Sequence, residues 1–362
     1  MKKINVAILF ILVFLMVFTA GCGSKTEATT SVNNPGTNES SPEGSESAPQ
    51  VIIKLGHCAS SDMSDPQQIG AYAFKDALEE MSNGYYQVDI YPANQLGNST
   101  QMLESVQLGT LEMQEIENGA CSGFVSSTMV WDLPYLINSL EHAQAVFDSE
   151  ICEAESQAFL DIGIRVLAYD HGGFRYFTNS VRPIVEPSDL NGLKMRVMES
   201  EIMIETINAF GGNAVPMAFS ELYTALQQKT VDGQDNPASS TYNNSFQEVQ
   251  KYLSLSNHFY FPRRYVISES FYQAQSAEHQ EMISEAAQIA AEAQNEAYIN
   301  SNQDFIDKLE AAGMEVNDVD IDAFAKIARE EVWPKFYSTL GNGDEEAGKA
   351  LVEQILSLDP NA

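Results

Sequence analysis

The stretch VIIKLGHCASSDMSDPQQIGAYAFKDALEEMSNGYYQVDIYP, residues 51–92, decides the fold class. VIIKLGHC reads as an apolar strand. In SDPQQIGAYAFKDALEEMS, Asp65 is placed to cap a helix whose first position is Pro66, where a missing N–H costs nothing. Ile69, Ala73 and Leu78 fall roughly on one face of that helix. YYQVDIYP is a second strand, closed by Pro92. NSTQMLESVQLG predicts a helix ended by Gly109, and LEMQEIENG a third strand. This alternation points to a parallel sheet with helices packed on it.

The stretch after WDLPYL is less regular; a helix is then expected over 142–161, followed by a strand in GIRVLAYDHGG. Beyond Gly172 and Gly173 the alternation restarts with FRYFTNS, GLKMRV, a helix over 201–210, NAVPM and a helix over 220–228. A glycine pair between two β/α sections predicts a crossing between domains, and 362 residues suit two of them. Residues 276–312 contain neither Pro nor Gly. As one helix they would span about 55 Å and brace both domains; the alternative is two helices with a kink near Ser301. No internal sequence repeat is evident.

An apolar content of 44% supports real cores, while a net charge of −32 argues against nucleic acid or an anionic membrane surface as partner. The first residues, MKK, precede the apolar run INVAILFILVFLMVFTAG and then Cys22. This describes a secretory signal, and its TAGC ending resembles a bacterial lipoprotein signal with Cys22 as the lipidated first residue. Thr19 stands where such signals usually carry Leu. An uncleaved anchor is the rival reading. Both place the body outside the cytoplasmic membrane. Residues 23–50 hold almost no large apolar side chain and read as a flexible tether. Cys58, Cys121 and Cys152 remain. They have no zinc spacing and read as three buried thiols, with one disulfide, Cys58 to Cys121, as the alternative.

No nucleotide-binding, zinc-hydrolase or serine-hydrolase motif is present. The five histidines are scattered, and His57 and Cys58 alternate to opposite faces of their strand. Neither a metal nor a cofactor is implied, and an enzyme is not the expected reading. What stands out is arginine. The chain has 51 acidic residues against 19 Lys plus Arg, yet Arg175, Arg182 and Arg196 fall close together. In GLKMRV, alternation alone makes Lys194 and Arg196 the wet face of a strand. VDGQDNP, residues 231–237, reads as a turn whose amide side chains could also serve a small hydroxylated anion.

PSDLNGLKMRV, VPMAFSELYTALQQKTVDGQDNP and FQEVQKYLSLSNH resemble successive signature stretches of the substrate-binding proteins of TRAP (tripartite ATP-independent periplasmic) transporters. DIYPANQLGNSTQMLESVQLGTLEM and DLPYLINSLEHAQAVFD fit the same pattern, so the resemblance runs from about residue 51 to the C-terminus. It implies an α/β, two-domain, periplasmic-binding-protein-like fold of the class II type, with an interdomain cleft and a long helix spanning both domains. The expected layout is a signal over 1–22, a tether over 23–50, domain I over 51–173 plus about 262–300, and domain II over 174–261 plus about 301–357. It also implies a receptor that delivers an organic acid to membrane permease subunits without chemistry on it; with the lipoprotein-like signal, the expectation is a monomer anchored by a lipid on Cys22. A ligand sensor for a receptor kinase is the alternative role.

By the same resemblance Arg196 is the carboxylate anchor and Arg175 assists it. Asn236 contacts ligand, Phe219 covers it, and Glu117 meets its polar part. Arg182, before Pro183, belongs to a surface turn. Met198 departs from the Pro that many members carry after RV. His57 and Cys58 are candidates for the first-domain wall, with His57 a donor to ligand hydroxyls. Glu117 would repel a second carboxylate, so a sugar acid such as a uronate is expected, with C4-dicarboxylates as runner-up. Burying an arginine without its anion is costly, which predicts an open, wet cleft before ligand arrives.

Overall fold

The computed structural model describes residues 51–361. The expected signal, Cys22 and the tether lie outside the described residues. In chain order the first half comprises β1 (Val51–Gly56), α1 (Pro66–Met81), β2 (Tyr86–Tyr91), α2 (Ser99–Gln107), β3 (Met113–Glu117), α3 (Leu140–Phe147) and α4 (Glu150–Leu160). Then come β4 (Ile164–Asn179), β5 (Lys194–Val197), α5 (Glu201–Ala209), β6 (Asn213–Pro216), α6 (Leu222–Gln227), β7 (Gly233–Asn236) and α7 (Ala238–Asn243). The chain closes with β8 (Tyr252–Ser268), α8 (Glu269–Gln273), α9 (Ala277–Ala311), β9 (Glu315–Asp318), α10 (Ile321–Ile327), α11 (Trp333–Leu340) and α12 (Glu345–Ser357).

The strands lie in the order β2-β1-β3-β8-β4-β7-β5-β6, with β9 alongside β8. β1 pairs in parallel with β2 and β3, and β5 in parallel with β6 and β7. One β-α-β-α-β unit is thus used twice, once on each side of the antiparallel pair β4 and β8. The fold is the two-domain α/β arrangement expected. β8 carries both halves: residues 263–267 pair with β3, and residues 252–255 with β9.

Local chemistry explains where elements begin. Asp65 accepts the Gln67 N–H at 3.1 Å to start α1, and Asn98 and Gln101 form a capping box on α2. The helix expected over 142–161 is two. Ser149 donates to the Val146 carbonyl at 2.6 Å, and its hydroxyl accepts the Ile151 N–H at 3.3 Å. One hydroxyl therefore ends α3 and begins α4, the competition with backbone bonding that serine offers.

Two further readings change. GIRVLAYDHGG and FRYFTNS form the single strand β4, because the Gly172–Gly173 irregularity is absorbed by a register shift against β8 without loss of pairing. Pro262, which has no N–H to give, stands opposite His171 at that shift. The turn-like GQDN is the buried strand β7, held between β4 and β5.

α9 is one helix of 35 residues, about 52 Å long, and Ser301 turns inward to bond the Ala297 carbonyl without breaking it. Ile283, Ala286, Ala287, Ala290 and Ala291 pack with Phe74 and Leu78 of α1. Further along, Phe305, Ile306 and Leu309 pack with Tyr176, Leu253 and Met314. The helix therefore belongs to both cores. Cys58, Cys121 and Cys152 are free, buried thiols.

Candidate functional site

Both β-α-β-α-β units aim the carboxyl ends of their parallel strands at one cavity, the position at which open α/β sheets bind ligands. Cys58 follows β1, Glu117 ends β3, Arg196 lies in β5, Phe219 follows β6 and Asn236 ends β7; all five line the cavity. Arg175 from β4, Arg263 from β8, and Gln294 and Tyr298 from α9 line it as well.

Arg196 is 1% exposed, whereas Lys194 on the same strand is exposed. Its Nε and Nη2 donate to the Met217 carbonyl at 3.0 and 2.8 Å. Its Nη1 is buried without a partner, so the far edge of the guanidinium keeps donors for a planar acceptor. Burial, then the neighbouring Arg175, lowers its pKa to about 10, so it stays cationic at neutral pH. The Phe219 ring lies 5.9 Å from its guanidinium carbon. The cleft is closed around this arginine rather than open as expected. The Met217 bonds and the fields of Asp235, Glu117 and Glu199 offset part of the desolvation.

Arg175 is committed to the protein. Its Nε donates to Asp235 Oδ2 at 2.5 Å and its Nη2 to the Asp235 carbonyl. Burial opposes ionisation of Asp235, but Arg175 and His258 outweigh it and hold the carboxyl well below the usual range. Arg175 thus adds positive field beside Arg196 while its position is set by an ion pair. Asn236 donates to Gln234 Oε1, which leaves its own carbonyl oxygen as an acceptor toward the cavity.

The opposite wall carries a second ion pair. Arg263 donates from Nε to Glu115 Oε1 and from Nη2 to Glu115 Oε2, the latter at 2.9 Å. Glu117 stands 3.6 Å from the same Nη2 and accepts from the Cys58 thiol at 3.5 Å. Burial, then Glu117, pushes that thiol up to about 12, so it remains protonated. Glu115 and Asp235 are each the third residue of their strands, β3 and β7. The pairs Glu115–Arg263 and Asp235–Arg175 are therefore counterparts in the two halves.

Arg263 was not among the expected site residues. Its signal was FPRRYV, two adjacent arginines in an apolar strand of an arginine-poor chain. Arg264 alternates to the other face of β8 and bonds Glu155 and Asn118. Of the six expected ligand residues, Arg196, Arg175, Asn236, Phe219 and Glu117 come together at the cavity, and His57 does not. His57 is fully buried behind the wall, with Nε2 2.8 Å from Gln68 Oε1. His171 lines the cavity instead, with Nδ1 bonded to the Tyr260 hydroxyl. Arg182 bonds the carbonyls of Asp189 and Asn191 at the surface turn.

Two carboxyls near the cleft make stability depend on pH. Burial raises Asp65 to about 6, against bonds from Asn243 and the Gln67 N–H, and raises Asp132 to about 6, against bonds from Ser200 and Asn118. In the unfolded chain both titrate near their ordinary value of about 4. The folded state therefore holds protons that the unfolded state releases between about pH 4 and pH 6, so stability falls as pH rises through that window. Each carboxyl contributes on the order of 2–3 kcal/mol. Asp235 acts oppositely, and its contribution is lost only below about pH 4. Burial lowers the pKa of His57, His171 and His258, so these act against the carboxyls between about pH 7 and pH 5, and the Asp132 contribution is read as a difference from a variant. In calorimetry the melting temperature of the wild type relative to Asp132→Asn is expected to fall as pH rises from about 5 to about 7, and a difference that does not change with pH would remove Asp132 from the account.

A family model described as bacterial extracellular solute-binding protein, family 7, matches residues 55–340. The 2,3-diketo-L-gulonate-binding periplasmic protein of Escherichia coli (strain K12) is 33% identical over 284 residues, covering 78% of this chain and 87% of that protein. A TRAP periplasmic solute-binding protein from Polaromonas sp. JS666, bound to D-erythronate, matches with a TM-score of 0.80 at 34% identity, covering 85% of this chain and 99% of that one. Another, from Sulfitobacter sp. NAS-14.1 with bound β-D-galacturonate, matches with a TM-score of 0.78 at 28% identity, covering 86% and 100%. On this fold, this cleft and these matches, the chain belongs to bacterial extracellular solute-binding protein family 7, as an extracytoplasmic substrate-binding protein of the TRAP transporter type.

Proposed function

We propose that this protein binds a sugar acid, of which a uronate is the type, through its carboxylate at Arg196, and delivers it unchanged to a TRAP permease. The observation that carries the reading is the buried, unpartnered Nη1 of Arg196 at the cavity wall. A carboxylate there would gain a charge-assisted, two-point hydrogen bond, on the order of 1.5–3 kcal/mol net. The relatives bound to galacturonate and D-erythronate support an acid of this class. The reading includes a monomer held at the outer face of the membrane by a lipid on Cys22. It also takes the domains as 51–173 plus about 262–300 and 174–261 plus about 301–357, in keeping with the register shift between His171 and Gly173.

A C4-dicarboxylate is the second reading, and Arg263 is the observation in its favour. That charge is offset by Glu115 and faced by Glu117, so the far wall is net negative and rich in acceptors, which suits hydroxyls better than a second carboxylate. Calorimetric titration with galacturonate, glucuronate, succinate and galactose separates these outcomes. The uronates are expected to bind about tenfold or more tighter than succinate, with galactose not binding and the uronate recovered unchanged. Equal affinity for galactose and galacturonate would end the carboxylate reading.

A further inference from the structure

A second, small pocket lies directly beside the ligand cavity. Four residues border both spaces: Glu117, Arg196, Phe219 and Met198. The first three belong to the polar and aromatic machinery of the site. Met198 has no polar partner and is 7% exposed. Its tip rests on Gly119: a Cβ built at residue 119 would lie 2.7 Å from Met198 Cε and 2.9 Å from Sδ. The absence of a side chain at 119 is what lets the thioether lie across the wall.

We infer that Met198 is the partition that sets the length of acid this site accepts, and that the pocket behind it would take the hydroxylated extension of a longer acid. The inference rests on the proposed role of Arg196 as carboxylate anchor. A ligand fixed by its carboxylate at Arg196 that grew past Met198 would enter a space lined in part by Asn94, Asn98 and Thr100. These amide and hydroxyl groups can serve sugar hydroxyls, while Ala120, Met217 and Ala218 give the same space an apolar side that a carbon chain can lie against. Methionine is the residue for such a wall, being unbranched and able to repack. Shortening it joins the two spaces. Adding a methyl at 119 drives its tip out of its seat and toward the cavity.

The test is a thermal-shift and calorimetric screen of hydroxylated monocarboxylic acids of about four to twelve carbons, up to aldobionic acids, against the wild type, Met198→Ala, Met198→Leu and Gly119→Ala. The expected result is a wild-type response confined to the shorter acids, and a gain of about tenfold or more in affinity for the longer ones in Met198→Ala. Met198→Leu should keep the wild-type range and Gly119→Ala should narrow it. These two carry the test if the alanine variant at 198 fails to fold. An identical range of acids in wild type, Met198→Ala and Gly119→Ala overturns the partition while leaving the carboxylate reading intact. No response to any acid in any variant overturns both.

Discussion

Arg196→Ala is expected to lower the affinity for a uronate by about 30-fold to several thousand-fold, the range for removing one partner of a buried charge pair. The loss is that of the carboxylate's two-point donor; the Met217 hydrogen bonds and the contact with the Phe219 ring are made without ligand as well and bear on stability rather than affinity. Arg196→Lys should recover only a fraction, because one ammonium cannot serve Met217 and a planar carboxylate together. The ligand-free protein should respond differently. Burial depresses this arginine's pKa, and relief of that cost offsets the loss of the Met217 hydrogen bonds, so the melting temperature should change little. Calorimetric titration together with a thermal melt checks both halves. Undiminished affinity would remove Arg196 as the anchor, and a fall in both affinity and stability would make its role structural.

Gly173→Ala is expected to destabilise the fold by about 2–6 kcal/mol, combining a strained backbone with overpacking. Gly173 has φ +89°, and a Cβ there would lie 1.9 Å from Tyr298 Cζ. The ring cannot simply withdraw, because its hydroxyl accepts the Phe174 N–H at 2.9 Å. Asn295, one turn earlier on α9, accepts the His171 N–H at 2.7 Å. The long helix thus grips β4 at its register shift, between the cavity residues His171 and Arg175. Denaturant unfolding measures the effect, and a loss below about 1 kcal/mol would contradict it. In a double-mutant cycle, Tyr298→Ala should relieve the steric part but not the φ strain, so the two changes should not add.

Much of the first half was legible because its signals are local. Asp65 and Pro66 announce α1, the apolar runs around 51–56 and 86–91 announce β1 and β2, and both depend on nearby residues alone. The long helix was legible for the same reason, an uninterrupted run without Pro or Gly. The misreadings are of another kind. GQDN has the composition of a turn, yet β4 and β5 on either side of it make it a central strand. Gly172 and Gly173 read as a break, yet β8 bridges them. The β-α-β-α-β unit occurs twice in space, while the two copies share too little sequence for a repeat to be seen.

The site divides along the same line. The sequence by itself determined the α/β class, the single bracing helix, and, through its signature stretches, five of the residues that meet at the cavity. Charge and alternation could not separate Lys194 from Arg196, and could not raise Arg263 above a pair of arginines in a strand. Only the tertiary structure decided which charges are dry. It buries Arg196 with one edge unpaired, ties Arg175 to Asp235 and Arg263 to Glu115, and turns His57 away behind the wall. The physical reason is that desolvation and pairing are properties of three-dimensional neighbours. Asp235 is 60 residues from Arg175 and Glu115 is 148 from Arg263, and the crossing of β4 and β8 brings each pair to one cleft.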